Sequence, residues 1–229
     1  MTQDIREIPT YTFTEAAHYL RLPVGTLRNW VLGYKYPTKS DVSRAKPLIG
    51  IAGKDPNLLS FLNLVEAHVL SALRRRYGIP MRNVRKALDY LNKRHRSRHP
   101  LADYWFETDG IHLFVETARK LEIISQDGQL AMREILEKAL SRIERDERKM
   151  AVRLYPYTGF PSTDDVRLVV IDPAVSYGRP VITGTGIPTS IIAERFEAGE
   201  GVDALSDDYE RTTREIEEAL RCELRRQAA

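Results

Sequence analysis

The chain has 229 residues, which suits one large domain or two modest ones. Hydrophobic residues make up 42% and charged residues 29%, as in globular proteins, and no apolar run approaches the roughly 18 residues of a membrane span. Cys222 is the only cysteine, which excludes an internal disulfide. The N-terminus lacks the basic and apolar regions of a secretory signal. We therefore expect a cytoplasmic protein with no cofactor and no metal site.

The formal net charge is only +3, but the charge is distributed unevenly along the chain. Residues 20–98 contain 17 Lys and Arg against 4 Asp and Glu, whereas residues 99–229 contain 17 against 25. A basic half can contact nucleic-acid phosphates, and an acidic half is repelled by them. The two halves are therefore predicted to have different partners.

The segment Tyr11–Trp30 predicts two short helices separated by a tight turn. Thr12 and Glu15 have the spacing of a capping box, and Pro23 suits the first turn of a second helix. Two such helices with polar side chains exposed on the second are typical of a DNA-binding helix-turn-helix; a helical hairpin that binds nothing is the alternative. The residues expected to face inward are Leu27, Trp30 and Val31. The expected DNA-reading residues, facing outward, are Thr26, Arg28 and Asn29.

A polar and basic segment follows, and after it Pro47–Gly53 reads as a short strand with glycines at its turns. A strand here would form a wing beside the helix-turn-helix, and its basic side chains would contact phosphates across the edge of a groove. A solvated loop is the alternative. The candidate DNA contacts in this segment are Lys35, Tyr36, Lys39, Arg44 and Lys46.

Two further helices are predicted from apolar residues at helical spacing, over Leu58–Arg76 and Met81–Lys93. Together, residues 11–93 resemble a MerR-type winged helix-turn-helix domain. The shared motifs are T-x-x-E-A-A-x-x-L, P-x-G-T-L-R-x-W, L-x-x-L-V-E-A-x-V-L-x-x-L-R and G-I-P-x-x-x-V-R-K-A-L-x-x-L. The resemblance implies a recognition helix at Val24–Leu32, a wing near Tyr34–Ile51 and binding to duplex DNA. MerR-type sensors place cysteines or a ligand domain after a long dimerisation helix, and this sequence offers neither.

The region after this domain is predicted to begin with hairpins. Asp109-Gly110 lies between two apolar-aromatic runs in Leu101–Val115, which is a strong hairpin signal. A second candidate hairpin has Leu121–Ile124 as a strand and Gln126-Asp127-Gly128 as its turn. The aromatic residues of the first are expected in the core rather than on a base-stacking surface. They are Trp105, Phe106 and Phe114.

A charged helix and a linker are predicted next. The helix covers Met132–Met150. The linker is Tyr155–Asp165, which contains prolines, a glycine and polar residues and has no periodic spacing of apolar residues. The histidines before the helix are scattered without the spacing of metal ligands. They are His95, His99 and His112.

The last part of the chain predicts a small module of one hairpin and three short helices. The expected strands are Leu168–Ile171 and Pro180–Ile182, and Gly184-Thr185-Gly186 is read as a tight turn because a phosphate loop needs further residues that are missing. Helices are expected from Pro188 to Ala198, over Val202–Leu205, and after a capping pair formed by Thr212 and Glu215. This arrangement indicates a second fold of the helix-turn-helix type.

This module resembles a widespread prokaryotic family of domains of unknown function found as antitoxins beside PIN-like ribonuclease toxins, the VapB-type arrangement. The shared motifs are I-D-P-x-x-x-x-G-x-P-V-I-x-G-T-x-I-P, F-E-A-G, L-x-x-D-Y and T-x-x-E-I-x-x-A-L. Many members carry a basic residue after G-T, where this chain has Gly186. The resemblance implies an operon partner and autoregulation.

The charge of the same module is compatible with a basic protein partner. Eight acidic residues lie between Glu200 and Glu218, against the two basic residues Arg211 and Arg214. An acidic helical surface could cover the RNA-binding face of a ribonuclease, although a solubilising surface is the alternative. The candidate toxin contacts are Asp207, Asp208, Glu215, Glu217 and Glu218.

The predicted fold class is mainly α with small β-hairpins (α+β), with a winged helix-turn-helix first and a small helix-turn-helix-like domain last. The expected divisions are 1–98 for the DNA-binding domain, 99–154 for a connecting and dimerisation region, 155–166 for the linker and 167–229 for the antitoxin-family domain.

Three functions are considered. The first is an antitoxin that binds its operator as a homodimer, represses transcription and neutralises a PIN-like toxin. The second is a MerR-like regulator that responds to a small ligand held by residues 100–165. The third is a metal-dependent nuclease using Asp172, Asp207 and Asp208, which the sequence disfavours because these carboxylates lack a supporting His, Lys or nucleophile. We expect a protein that is not an enzyme.

Overall fold

The structure, a computed structural model, describes residues 4–37, 41–51, 58–77, 81–120, 126–158 and 167–224. The predicted fold class is confirmed, because these ranges form helices and two-stranded antiparallel sheets. The helices are α1 (Phe13–Tyr19), α2 (Val24–Leu32), α3 (Phe61–Tyr77), α4 (Met81–Arg94), α5 (Ile111–Lys120), α6 (Gln126–Leu140), α7 (Thr189–Glu197), α8 (Val202–Asp208) and α9 (Thr213–Glu223). The strands are β1 (Tyr11–Thr12), β2 (Tyr34–Pro37), β3 (Val42–Ala45), β4 (Leu58–Leu59), β5 (Ile143–Arg145), β6 (Ala151–Leu154), β7 (Val169–Val170) and β8 (Val181–Ile182).

The first helix-turn-helix consists of α1, the turn 20–23 and α2. The Thr12 hydroxyl accepts from the backbone N–H of Glu15 at 3.2 Å, and the Thr12 N–H donates to the Glu15 carboxylate at 2.9 Å, so the predicted capping box is confirmed. Arg21 has the left-handed φ of 53° that turns the chain between the helices. The three residues predicted to face inward from α2 are buried, namely Leu27, Trp30 and Val31.

The hairpin next to α2, here called the wing, consists of β2 and β3. It requires glycine at position 33, where φ is +72° and a Cβ would lie 2.2 Å from the carbonyl oxygen of Ala45. The strand predicted at Pro47–Gly53 is wrong for residues 47–51, and Ala52 and Gly53 lie outside the described residues. The backbone N–H groups of residues 48 and 49 instead donate to the Trp30 carbonyl at 2.6 and 3.1 Å, which satisfies the end of α2.

The main core is built by α3 packed against α6 and by α4 packed against α5. The two predicted helices are present as α3 and α4, but α3 begins at Phe61 because Leu58 and Leu59 pair with β1 as a short strand. Deep in this core the His68 ring nitrogen Nε2 lies 3.0 Å from the Ala139 carbonyl oxygen. The core includes residues from Tyr11 to Ile171, so the region 99–154 packs within the same cluster as the N-terminal helices.

The hairpin predicted over Leu101–Val115 is wrong. Residues Phe106–Gly110 form a π-helical turn that leads into α5, and Asp109-Gly110 lies inside it. The buried side chains recur at helical spacing, so tertiary packing outweighs the local turn signal. They are Phe106, Ile111, Phe114, Val115 and Ala118.

The second predicted hairpin and the predicted charged helix also need correction. Gln126-Asp127-Gly128 begins α6 rather than forming a turn, and Leu121–Ile124 lies outside the described residues. The helix predicted over Met132–Met150 ends at Leu140, and the β5–β6 hairpin follows. Arg142 explains this end, because it is buried and its Nε donates to the Tyr155 carbonyl at 2.7 Å, which ties the chain to the start of the predicted linker.

The C-terminal module has the predicted hairpin, β7–β8, and the predicted helices α7, α8 and α9. Tyr155–Thr158, the start of the predicted linker, is packed: Tyr155 and Thr158 are buried, and the Thr158 hydroxyl donates to Glu218. The rest of that segment, residues 159–166, lies outside the described residues. Leu154 and Ile171 exchange backbone hydrogen bonds at 2.9 and 2.8 Å, so β6 continues onto the module.

The C-terminal module is fastened to α1 and to the turn that follows it. The Tyr11 hydroxyl donates to the Gly178 carbonyl at 3.0 Å in a buried position. The His18 ring lies 3.3 Å from the Glu223 carboxylate, and the Arg21 guanidinium donates to the Arg221 carbonyl at the end of α9. The module therefore contacts the first helix-turn-helix on its supporting helix.

Candidate nucleic-acid interface and its acidic counterpart

The outer face of α2 presents two of the three predicted reading residues. Arg28 and Asn29 are exposed, and the Arg28 guanidinium lies 5.4 Å from the centre of the Phe13 ring, which supports the side chain from α1. Thr26 was predicted to face outward and is 8% exposed, so that prediction is wrong. Thr26 lies one helical turn before the buried Trp30 and therefore shares its inner face.

The wing separates its candidate contacts onto two faces. Lys35 and Arg44 are direct cross-strand partners and share one face. Tyr36 lies on the other face because successive strand residues point in opposite directions, and its ring is 5.9 Å from that of Tyr34. Lys46 is exposed just after β3, and Lys39 lies outside the described residues. A phosphate contact thus fits the face of Lys35 and Arg44.

Two arginines hold the wing near the helices. The second of them, Arg85, is not predicted from the sequence. The Arg44 Nη2 lies 3.4 Å from the Leu32 carbonyl at the end of α2. Arg85 of α4 donates to the Lys46 carbonyl, which brings a third helix to the wing. Within the described part of the chain, no carboxylate pairs with Arg28, Lys35 or Lys46. This basic surface is therefore available to phosphates.

The C-terminal module contains a second helix-turn-helix, formed by α8, the turn 209–212 and α9. Its turn has the same backbone hydrogen bonds as the turn of the first motif. In the first, the N–H groups of residues 20, 21 and 22 donate to the carbonyls of residues 16, 18 and 17. In the second, residues 209, 210 and 211 donate to residues 205, 207 and 206. Glu210 has φ 51° where Arg21 has φ 53°, so the two motifs share one turn geometry.

The equivalence of the turns places α9 where α2 stands in the first motif, and the charge is reversed at the position of Arg28. Glu217 and Glu218 occupy the positions of Arg28 and Asn29. Glu217 is exposed and would repel a phosphate backbone, and Glu218 is buried, so neither position offers the polar donor that Arg28 and Asn29 offer to DNA. The same scaffold thus carries a basic surface at one end of the chain and an acidic one at the other.

Two of the predicted toxin contacts, Glu215 and Glu218, are less exposed than the other three and hold parts of the fold together. Glu218 is only 7% exposed and accepts from the Thr158 hydroxyl and, at 2.7 Å, from Arg221, so its prediction as a surface contact is wrong. Glu215 closes the predicted capping box by accepting from the Thr212 N–H at 2.8 Å, and the backbone and side-chain hydrogen bonds from Thr212 lower its pKa.

The remaining acidic candidates are exposed, two on α8 and one on α9, and we refer to them together as the acidic face, namely Asp207, Asp208 and Glu217. Asp208 accepts from Arg195 of α7, and Glu217 accepts from Arg221 at 2.7 Å within α9. Exposed ion pairs of this kind contribute about 0–1 kcal/mol each, so their carboxylates remain accessible to a competing cation.

Family models match both ends of the chain. One described as "Putative DNA-binding HTH domain" matches residues 9–88, and one described as "Protein of unknown function (DUF433)" matches residues 169–221. The chain is 31% identical over 232 residues to the "Putative antitoxin VapB45" of Mycobacterium tuberculosis, covering 93% of each. The chain belongs to the VapB45 family.

Other relatives extend over the same length. The "Uncharacterized protein Rv2308" of M. tuberculosis is 23% identical over 220 residues, covering 92% of this chain and 88% of the relative. The crystal structure of Rv2018 from M. tuberculosis superposes with a TM-score of 0.67 at 28% identity, covering 93% of this chain and 98% of that one. The VapB45-family chain thus shares its fold with Rv2018 over nearly its full length.

The carboxylates considered for a nuclease lie in separate places in this VapB45-family chain. Asp172 accepts from Arg153 at 2.8 Å and from the Ala174 N–H at 2.8 Å, whereas Asp207 and Asp208 lie on α8. Among the residues that the structure describes, no group of three or more His, Cys, Asp or Glu side chains could hold a metal ion. None of the described helices is long and apolar enough to cross a membrane.

A buried ionic cluster connects three distant parts of the chain, and the sequence carries no signal for it. His99 has Nδ1 at 3.0 Å from Glu66 and Nε2 at 3.2 Å from Glu7. Burial opposes the charge on His99, but the hydrogen bond and charge of Glu66, with the charge of Glu7, raise its pKa. For Glu66, which is fully buried, burial disfavours the charged carboxylate and therefore raises the pKa. The pair therefore retains a proton more strongly than free side chains would.

Proposed function

We propose that this chain is the antitoxin of a type II toxin–antitoxin pair. In this proposal the first helix-turn-helix and its MerR-like wing bind operator DNA and repress transcription. The acidic face of the C-terminal module binds a PIN-like ribonuclease toxin. The observation that carries the proposal is the presence of two helix-turn-helix motifs with one turn geometry and opposite charge in a single chain.

The DNA half of the proposal is supported by the side chains that remain exposed on α2 and the wing. Arg28 suits a bidentate contact to guanine or a phosphate, and Asn29 suits adenine. Lys35 and Arg44 on one face of the wing suit the backbone of an adjacent groove. Binding through this surface weakens steeply with salt, because each neutralised phosphate releases counterions.

The toxin half of the proposal is supported by the acidic face and by the name of the relative. VapB45 is named a putative antitoxin, and it aligns over both modules of this chain. The RNA-binding rim of a ribonuclease is basic, so Asp207, Asp208 and Glu217 provide complementary charge for association.

A homodimer on an inverted repeat is part of the proposal, because helix-turn-helix repressors commonly bind two half-sites. The region 99–154 was expected to dimerise, but Met132, Leu136 and Leu140 of its helix α6 are buried in the chain's own core. We therefore propose the C-terminal module, the other candidate surface, as the dimer interface. Sedimentation at micromolar concentration should give a dimer, and a monomer that protects one half-site would contradict this part.

The experiment that tests the whole proposal uses the promoter region and the neighbouring reading frame. The purified chain should protect a discrete site upstream of its own gene, and it should co-purify with a small PIN-like protein encoded beside it and inhibit RNA cleavage by that protein. Asp207→Lys with Glu217→Lys should abolish the inhibition. Glu134→Lys with Glu137→Lys on α6 is the matched control, because both residues are exposed and lie outside the acidic face. Absence of such a neighbour together with absence of a footprint would overturn the proposal.

The second candidate, a MerR-like regulator that responds to a small ligand, is favoured by one observation: residues of the 100–165 region line an open cavity. A ligand-dependent change in promoter affinity without any toxin gene nearby would select it over the antitoxin.

A further inference from the structure

An open cavity of about 520 Å³ lies between the segment 97–108 and the turn of the β5–β6 hairpin. Glu7 and Leu62 complete its wall, so four separate parts of the chain meet there. This volume falls within the range of sites for small molecules, about 300–1,000 Å³. No residue of α2, the wing or the acidic face lines it. The cavity is therefore independent of the surfaces assigned to DNA and toxin.

One wall of the cavity is a fixed aromatic ring. Trp105 stacks on the His95 ring with centres 4.4 Å apart and planes inclined by 13°. Asp103 holds both groups, because its Oδ2 lies 3.1 Å from His95 Nε2 and its Oδ1 accepts from the Trp105 backbone N–H at 3.0 Å. A preorganised indole at a cavity wall suits a flat apolar ligand.

The charges around the cavity favour an anion. The two carboxylates that line it already have partners within the chain, since Glu7 lies 3.2 Å from the His99 ring and 3.8 Å from Arg98, and Asp103 lies 3.1 Å from the His95 ring. In the described part of the chain, Arg148 and Lys149 make no ion pair, and the Lys149 ammonium lies 5.2 Å from the centre of the Tyr104 ring. The hairpin turn thus presents two cations to the cavity, neither of them paired with a carboxylate that the structure describes.

A buried guanidinium lies directly behind the same wall. Arg145 has a side chain only 7% exposed, and its Nη1 donates to the carbonyls of Ala102 and Lys149, two lining residues, at 2.9 and 3.2 Å. Glu107 accepts from its Nε at 2.6 Å. Its Nη2 is buried without a hydrogen-bond partner among the described residues. From behind the wall, Arg145 thus fixes the backbone of two lining residues.

We propose that this cavity binds a small aromatic anion. The flat part of the ligand rests against Trp105, and its carboxylate, sulfonate or phosphate group lies between Arg148 and Lys149. This assigns the chain a ligand-binding site beyond its proposed roles toward DNA and toxin.

The test uses two fluorescent probes that differ by one charged group. Anilinonaphthalene sulfonate is an aromatic anion, and N-phenylnaphthylamine is its neutral counterpart. The full chain should bind the sulfonate saturably at one site. Arg148→Glu with Lys149→Glu should weaken sulfonate binding at least about tenfold and leave binding of the neutral probe unchanged, because only the charge contacts are reversed. Trp105→Leu should weaken both probes.

The matched control is Lys93→Glu with Lys120→Glu, which makes the same change of charge at exposed positions away from the cavity. This variant should retain sulfonate binding. Non-saturable binding by the wild type, equal losses in the control variant, or loss of the neutral probe in the Arg148 and Lys149 variant would each overturn the proposal. Circular dichroism of every variant establishes that the measured chain is folded.

Discussion

The proposed DNA-reading surface of α2 consists of two side chains, because burial removes Thr26 from the predicted set. Arg28 and Asn29 lie side by side on the exposed face, and Arg28 is supported by the Phe13 ring at 5.4 Å. The equivalent positions of α9 carry Glu217 and Glu218. Substitutions at these positions of α2 are therefore expected to lower DNA affinity, and substitutions at the equivalent positions of α9 are not.

Arg28→Ala with Asn29→Ala should lower operator affinity about a hundredfold or more, since each good base contact contributes about 1–3 kcal/mol. The free energy of unfolding should change little, because both side chains are exposed. Fluorescence anisotropy with labelled operator measures the affinity. Glu217→Ala at the matched position of α9 is the control and should leave DNA affinity unchanged or slightly higher. An unchanged footprint for the double variant would place the reading helix elsewhere.

The cluster of Glu66, His99 and Glu7 predicts a stability that depends on pH. The pKa of His99 is higher in the folded chain than in the unfolded chain, where it is about 6.5. The stabilisation that His99 gives to the folded chain is therefore fully present below pH 6.5 and is lost as the pH rises through its pKa in the folded chain. The raised pKa of Glu66 acts in the same direction, because the folded chain again binds more protons than the unfolded chain.

His99→Gln should therefore destabilise the chain most near pH 6, by about 1.5–3 kcal/mol, and progressively less toward pH 9. Urea unfolding at several pH values measures the difference from wild type. His112→Gln is the control, because His112 is exposed and contacts only Arg133 among the described residues. A destabilisation by His99→Gln that is constant with pH would contradict the charge assignment.

At the level of elements, the two turns provide a matched pair of strained positions. Arg21 and Glu210 both have φ near +50°, a region that costs a non-glycine residue about 1–2 kcal/mol. Their side chains differ in role, because Arg21 also donates to the Arg221 carbonyl at the end of α9. Removing the side chain thus relieves strain at both sites but breaks a contact between modules at only one.

Glu210→Gly should raise the free energy of unfolding by up to about 1 kcal/mol, because the strain relieved exceeds the entropy gained by the unfolded chain. Arg21→Gly should gain less or become destabilising, since it also loses the bond to α9. Parallel urea titrations of the two variants measure the difference. Equal gains would mean that the Arg21 contact contributes nothing to the docking of the module.

The wing predicts a salt effect that does not depend on sequence. Lys35→Ala with Arg44→Ala should weaken binding to operator and unrelated DNA alike and reduce the salt slope by about 2, one for each lost phosphate contact. The control is Lys86→Ala with Lys93→Ala on α4, which removes the same charge outside the wing. If the variant also discriminates less well between operator and unrelated DNA, the wing reads bases.

The sequence predicts the elements whose signals are local and misses those decided by packing. Both capping boxes, α2 and α7 follow from residues within a few positions of each other. The turn signal at Asp109-Gly110 fails because Phe106 and Phe114 are drawn into the core. The contact of Arg85 with the wing and the cluster at His99 join residues far apart in the chain, so no spacing could reveal them.

At the scale of the whole molecule, the two modules form one packed unit. The core runs from Tyr11 to Ile171, and β6 pairs with the start of the module through Leu154. Removing residues 167–224 would expose Tyr11, which is 3% exposed and bonded to Gly178. The division of labour between the modules is therefore better tested by surface variants of the full chain than by truncation.

The most direct test is growth of cells that express the toxin from the neighbouring gene together with variants of this chain. Arg28→Ala with Asn29→Ala should restore growth fully, because the proposed toxin-binding surface is intact. Asp207→Lys with Glu217→Lys should fail to restore growth although the protein still binds its operator, because two contacts of the acidic face become repulsive. Full rescue by the Asp207 and Glu217 variant, or loss of rescue by the Arg28 and Asn29 variant, would contradict the assignment of DNA and toxin to opposite ends of the chain.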